Sequence, residues 1–201
     1  MAVSHEVDPI TYLEMCFTQN NANKSLKEFA LENVHNYFTQ KHSTSERMPL
    51  KVLDYGCGPV IAFDISAAKG EAEIVLAEYG EKCRQALQDW LNRHPSAWDW
   101  TPYIEHVVCD LEKKDKSEVI QREENLRKII KAVVPCDITQ DPPIAQGYEG
   151  PYDVVMSILC IENGCLTKDE YKAAVRRIAS LTKKRWKFLA VFISPQSRRT
   201  R

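Results

Sequence analysis

No uninterrupted apolar stretch among the 201 residues is long enough to cross a bilayer, which argues against a membrane partner. Charge of one sign is not in excess either. There are 27 Lys and Arg against 28 Asp and Glu, a formal net charge of -1, so no general pull toward DNA, RNA or an anionic surface follows. The closing SPQSRRTR is too short a basic run to change this. The opening residues lack the basic-then-apolar pattern of a secretory signal, and the seven cysteines (16, 57, 83, 109, 136, 160 and 165) include no CxxC pair. These absences point to a cytoplasmic protein with reduced, mostly buried thiols. Cys160 and Cys165 have no nearby histidine to complete a zinc set, so no metal site is expected. What remains, 44% hydrophobic and 27% charged, suits one globular domain, at most two.

The chain is organised around Val52-Leu53-Asp54-Tyr55-Gly56-Cys57-Gly58-Pro59. An apolar run stops at an acid and two glycines one residue apart, and Ile61 to Ala68 follows without breakers, which reads as strand, tight turn, helix. Glycine permits unusual backbone angles and removes the Cβ that would hold a ligand away, so the turn's amides can meet polar ligand groups. A purely structural turn has the same signature. Glu73 to Ala77 reads as a second buried strand ending at Glu78, 22 residues beyond Gly56, where an acid can accept both hydroxyls of an adenosine ribose. A solvated surface glutamate is the alternative.

Asp8 and Pro9 open a helix carrying Tyr12, Leu13, Cys16 and Phe17, and a second helix is expected from Lys24 to Phe38, with Leu26, Phe29, Ala30, Val34, Tyr37 and Phe38 on one face. Packing onto the core and closing over the glycine turn are both open to this pair. His42 to Pro49 is a polar connection. Glu81 to Leu91 is a helix, and His94 to Pro102 a loop whose tryptophans either staple it to the body or line a pocket. A third strand is expected at Ile104 to Val108. A charged stretch then passes into a helix with Leu126, Ile129, Ile130, Val133 and Val134 as its apolar positions. Tyr152 to Ile161 has the continuous apolar character of a central parallel strand, with Glu162 and Asn163 at its carboxyl end. They either face a ligand or cap the strand. Thr167 and Glu170 make a capping box for a helix through Thr182, and Trp186 to Ile193 reads as the last strand.

Alternating strands and helices predict an α/β fold with a parallel sheet and helices on both faces. A dinucleotide oxidoreductase fits less well, because Ile61 occupies the third glycine position and Pro59 follows the second glycine directly. S-adenosylmethionine has no pyrophosphate and fits better.

The segment VLDYGCGPVI, the pair Glu78-Tyr79, ALQDWLNRHPSAWDWTPYIEHVVCDLE, CDIT at 136 to 139 and YDVVMSILCIENGCLTKDEYKAAVRRIASL together resemble the family of nicotinamide, phenylethanolamine and indolethylamine N-methyltransferases. The resemblance runs from about Asp8 to Leu181 and implies a Rossmann-like class I methyltransferase transferring methyl from S-adenosylmethionine to a small aromatic or arylalkyl amine. Residues 1–48 would then be a helical lid, 49–193 the cofactor-binding domain and 194–201 a basic tail. The resemblance places Tyr12 and Phe17 in the lid, Gly56, Cys57 and Gly58 at the methionine side, and Glu78 and Tyr79 at ribose and adenine. Asp137 and Ile138 flank the adenine, and Cys83 and Ile158 complete the cofactor set. Glu162 and Asn163 belong to the amine side. No catalytic nucleophile is implied. The sequence departs from the family at Phe17, where members carry tyrosine, at Glu78, usually aspartate, and at Cys83, where an asparagine is expected. Its ending also lacks the family's antiparallel hairpin, which predicts a truncated form with an exposed sheet edge that a protein partner would cover, and impaired catalysis as the alternative to an active enzyme.

Overall fold

The computed structural model describes residues 8–18, 24–42 and 49–191. Helix α1 (Pro9–Phe17) starts where Asp8 caps it, accepting the Thr11 amide at 2.8 Å, with proline in the first turn. Helix α2 spans Lys24–His42. Five strands follow in a single sheet: β1 (Leu50–Tyr55), β2 (Ala72–Glu78), β3 (Ile130–Pro135), β4 (Tyr152–Ile158) and β5 (Thr182–Val191). All pairings are parallel, in the order β3-β2-β1-β4-β5. Between β1 and β2 lies a 3-10 segment, Ala62–Lys69. Helices α3 (Glu81–Leu91), α4 (Thr101–Glu105), α5 (Glu118–Ile129), α6 (Ile161–Gly164) and α7 (Lys168–Ser180) make the other connections, and a π-helical turn, His106–Leu111, continues α4.

Strand alternation divides the core into two layers. Val52, Ile74, Leu76, Val154 and Met156 face one side, where Leu13 and Phe17 of α1, Ala30, Leu31, Val34 and Phe38 of α2, and the apolar positions of α3 to α5 share one cluster with them. Leu53, Tyr55, Ala77 and Val155 face the other side, covered by Ala174 and Ile178 of α7 and by Ile161. Helix α7 begins with the capping box foreseen at Thr167 and Glu170. At the opposite end from the glycine turn, Asp153 accepts the Lys51 amide at 2.9 Å and pairs with Lys183 at 2.6 Å, tying β4 to β1 and β5.

Several expectations are corrected. Residues 104–108 are not a strand; they close α4 and open the π-helical turn. Trp100, Ile104, Val107 and Val108 are all buried, and their i, i+4, i+7, i+8 spacing is a helix face that the β-branched valines disguised. The third strand is Ile130–Pro135, so Ile130, Val133 and Val134 do not extend α5, which ends at Ile129. Their apolar spacing suits either structure, and a short run cannot be decided by period alone. Phe29 is 57% exposed; Leu31 holds its place on the buried face of α2. The strand expected to reach Ile161 stops at Ile158, because Leu159 adopts φ 55° and turns the chain. The helix expected through Thr182 ends at Ser180, and β5 begins at Thr182 rather than Trp186. The seven thiols are all free, but only Cys83 and Cys136 are fully buried, not most of them. Leu26 lies where side chains are not described, and residues 43–48 of the polar connection, Ile193 and the basic tail lie outside the described residues. Among the described residues no antiparallel strand joins the sheet, and no helix is long and apolar enough to cross a membrane.

Candidate functional site

Because all five strands run the same way, their carboxyl ends share one edge, and the strand order reverses there between β1 and β4. Open α/β sheets leave a crevice at such a reversal. The Gly56-Cys57-Gly58 turn leaves β1 at this point. Its Gly56 and Cys57 amides both donate to the Ala77 carbonyl, at 2.7 and 3.2 Å, so the turn is tied to the end of β2. Gly56 has φ +70°, and a Cβ there would lie 1.9 Å from Cys160 Sγ, so neither the conformation nor the space admits a side chain. Gly58 also has a positive φ, +64°, but a Cβ on it would touch nothing closer than 4.0 Å, Tyr12 and Val60 being the neighbours at that distance. Tyr12 of α1 and Gly58 therefore lie close together, with Tyr12 beside the glycine turn.

Glu78, at the end of β2, spans two turns. Its Oε2 accepts the Gly58 amide at 2.9 Å and its Oε1 the Gly80 amide at 2.8 Å. Arg84 holds the strand end from outside, donating to the carbonyls of Glu78 and Tyr79 at 2.9 and 2.5 Å. Beside Glu78 lies Pro135 of β3, which leads directly into Cys136, Asp137 and Ile138. Asp137 Oδ1 accepts the Thr139 amide at 2.9 Å and its hydroxyl at 2.7 Å, and Arg177 donates to the Ile138 carbonyl at 3.2 Å, so this loop is fixed from both sides. Tyr55 reaches across to donate to the Pro143 carbonyl at 2.9 Å.

The structure therefore gathers Tyr12, Gly56, Cys57, Gly58, Glu78, Cys83, Asp137, Ile138 and Ile158 around one edge, with Tyr79 56% exposed beside them. Phe17 is placed differently. Its ring is buried against Trp100 and Tyr103, with centroids 5.2 and 5.4 Å away, and Tyr103 donates to its carbonyl at 2.9 Å. It supports α1 from behind. Asn163 is exposed, and its side-chain amide donates to the Leu159 carbonyl at 2.7 Å, as a cap would. Glu162 is half-buried on the same short helix α6, whose Gly164 stands against Ile138.

The thiols of the site are neutral groups that give it shape. Burial pushes Cys83 and Cys136 up to about 12, with Glu78 adding to both shifts, and burial likewise raises Cys57 and Cys160 well above the ordinary thiol value. Tyr12 is raised by burial, with Cys16 and Glu78 nearby. Two acids behave in the same direction. Burial pushes Asp54, at the end of β1, up to about 7, while burial and the facing Asp54 hold Asp64 of the 3-10 segment well above the usual carboxylate range. The sequence marked Asp54 only as the acid ending a strand and passed over Asp64. Its signal was there, a single acid inside the apolar run Val60 to Ala68. Arg84 was also passed over, because a helix arginine four residues past a glycine has no distinctive pattern.

The sheet order, the glycine turn and the acid at the end of β2 define a Rossmann-like class I methyltransferase fold. The magnesium protoporphyrin IX methyltransferase of Synechocystis PCC 6803, solved with bound SAM, has it too, at a TM-score of 0.54 and 16% identity over 90% of this chain and 67% of that one. Within that class the chain belongs to the NNMT/PNMT/TEMT family, whose pattern it matches over residues 2–193. It is 33% identical to the indolethylamine N-methyltransferase of Mus musculus over 89% of its own length, and 32% identical to the nicotinamide N-methyltransferase of Homo sapiens over 88%. The chain spans 66% of the length of each of these relatives, and 50% of the phenylethanolamine N-methyltransferase of Sus scrofa, to which it is 31% identical.

Proposed function

We propose that the chain is an S-adenosylmethionine-dependent N-methyltransferase whose acceptor is a small aromatic or arylalkyl amine. The observation that carries this reading is the carboxylate of Glu78, which stands between the Gly58 and Gly80 amides at the strand ends. The family membership and the amine-methylating relatives support it. Each oxygen of Glu78 accepts one hydrogen bond and keeps lone-pair capacity for ribose hydroxyls. Gly56, Cys57 and Gly58 hold the methionine side, and Tyr12 closes it beside Gly58. Tyr79, Asp137, Ile138 and Ile158 take the adenine, and Cys83 packs beneath. Phe17 positions the lid.

S-adenosylmethionine, when bound, supplies a methyl group on a cationic sulfur that an amine nitrogen can displace. The chain's own part is to align the acceptor and exclude water, which is where the rate of such a displacement is gained. No nucleophile of the chain is needed. A protonated amine must lose its proton first, and the carboxylate of half-buried Glu162 would take it; Asn163 would shape the same rim while holding the Leu159 carbonyl. The seven free thiols support a cytoplasmic location. The edge of β5 away from β4 is where a protein partner would pair.

The test is methyl transfer from labelled S-adenosylmethionine to nicotinamide, tryptamine and phenylethanolamine by the purified chain. Labelled product from any of them supports the reading. Cofactor binding without transfer to a wider amine panel would leave the second reading, a cofactor-binding relative without turnover.

A further inference from the structure

Asp54 and Asp64 are 2% and 0% exposed. Asp54 is the last residue but one of β1, two residues before Gly56, and Asp64 comes from the 3-10 segment that follows the turn. Neither Asp54 Oδ1 nor either oxygen of Asp64 finds a donor among the described residues; the hydrogen bond open to them is with each other. Two carboxyls can make that bond only by sharing a proton. Among the described residues no donor or cation relieves them. The charge acting on Asp54 besides its partner is Glu78, another acid, and the neighbouring thiols Cys57 and Cys160 are neutral. His35 of α2 is engaged with Ser66 at 3.0 Å, and Arg84 is spent on the carbonyls of Glu78 and Tyr79. Among the described residues, the crevice thus has three acids, with Arg84 spent on carbonyls rather than on their carboxylates.

A buried pair of this kind is costly unless something uses it. Under the reading of the site given above, on which this inference rests, the ligand is a cation whose charge is lost when methyl leaves it. We propose that Asp54 and Asp64 form a proton-sharing carboxyl pair beneath the glycine turn that couples cofactor binding to proton release and favours the sulfonium cofactor over its neutral thioether product, with Asp64 a positioning residue acting through Asp54. The balance is simple. In the doubly protonated pair, the Asp54 O–H bond breaks as the cation binds, the proton leaves to solvent, and the resulting carboxylate accepts the remaining O–H of Asp64. Above neutrality the pair is already singly ionised and no proton is released.

The experiment is calorimetric titration of the 201-residue protein with S-adenosylmethionine and with S-adenosylhomocysteine between about pH 5.5 and 7.5, in buffers of different ionisation enthalpy. For the wild type, S-adenosylmethionine affinity is expected to rise about tenfold over this range, with proton release at its acid end, and S-adenosylhomocysteine to show a smaller rise. Asp64→Asn gives Asp54 an amide donor and lets it ionise in the ordinary range, so release vanishes and affinity becomes flat. Binding that is independent of pH in the wild type, or a pH dependence unchanged in Asp64→Asn, overturns the pair's role and leaves the cofactor reading intact. Failure of both ligands to bind folded protein at every pH overturns the cofactor reading and, with it, the selectivity. The pair itself is read without cofactor by infrared spectroscopy of the wild type near pH 6. A protonated carboxyl band that Asp54→Asn and Asp64→Asn remove is expected; its absence overturns proton sharing even if a variant fails to fold.

Discussion

The carboxylate of Glu78 accepts the amide of Gly58 at 2.9 Å across 20 residues of sequence, locking the end of β2 to the turn that ends β1. A charge-assisted bond of this kind is worth about 1.5–3 kcal/mol. Glu78→Ala is therefore expected to loosen the turn as well as to remove the proposed ribose acceptor, lowering cofactor affinity by at least about tenfold. Glu78→Gln must turn one amide hydrogen toward Gly58 or Gly80 and should bind almost as poorly. Calorimetry on both variants, with circular dichroism to show that they fold, checks this. Wild-type affinity in Glu78→Gln would mean that the charge at this position is irrelevant.

Gly56→Ala should be among the most harmful small substitutions in the protein. The new Cβ meets Cys160 Sγ at 1.9 Å in a conformation that disfavours any side chain. A melting-temperature loss equivalent to about 2 kcal/mol or more is expected from the clash and the strained φ together. Adding Cys160→Ala should return only part of the loss, because Cys160 Cβ still stands 2.7 Å from the new Cβ and the strained φ remains. Full recovery in the double variant would show that φ +70° carries no penalty here.

Glu112 and Arg122 test the opposite layer. The guanidinium donates to both carboxylate oxygens, at 2.9 and 2.7 Å, with the two side chains 1% and 6% exposed. Burial alone would raise Glu112, but the hydrogen bonds and charge of Arg122 hold it below its ordinary value. A depressed acid stabilises the fold above its unfolded value, about 4.3, and this contribution is lost as pH falls through the lower, folded value. Arg122→Met strands a buried carboxylate and should cost about 3–5 kcal/mol near neutral pH, less once acid protonates Glu112. Chemical denaturation at pH 7 and at acid pH reads both. An equal loss at the two pH values would contradict the pairing.

Tyr12→Ala should weaken the cofactor while leaving the fold intact. The tyrosine is half-buried and its ring would lie 4.0 Å from a Cβ on Gly58, so truncation opens the side of the glycine turn without emptying the core. By contrast Trp100→Ala removes the ring that Phe17 and Tyr103 meet edge to face and should cost about 3–5 kcal/mol of stability. Thermal unfolding beside a binding titration separates the two effects. Unchanged affinity in Tyr12→Ala would remove α1 from the site.

The edge that carries the candidate site was legible because its signals are local. Gly56 and Gly58 declare a turn that side chains cannot make, and the acid at Glu78 falls at the end of a strand whose apolar run is unmistakable. Those signals survive without knowledge of the fold. What the sequence hid depends on tertiary packing. Ile104 to Val108 has the composition of a strand, yet it is Trp100, Ile104, Val107 and Val108 together that bury one helical face. Ile130 to Val134 carries a helical spacing, yet it pairs with β2. Asp64 is silent for another reason, since its meaning comes entirely from Asp54 facing it.

The most direct test is calorimetric titration of the purified chain with S-adenosylmethionine and S-adenosylhomocysteine, with Glu78→Ala alongside. The account predicts one saturable site for both ligands in the wild type and binding lost, or weakened at least about tenfold, in the variant. Absence of binding by the folded wild type, or undiminished binding by Glu78→Ala, would contradict it.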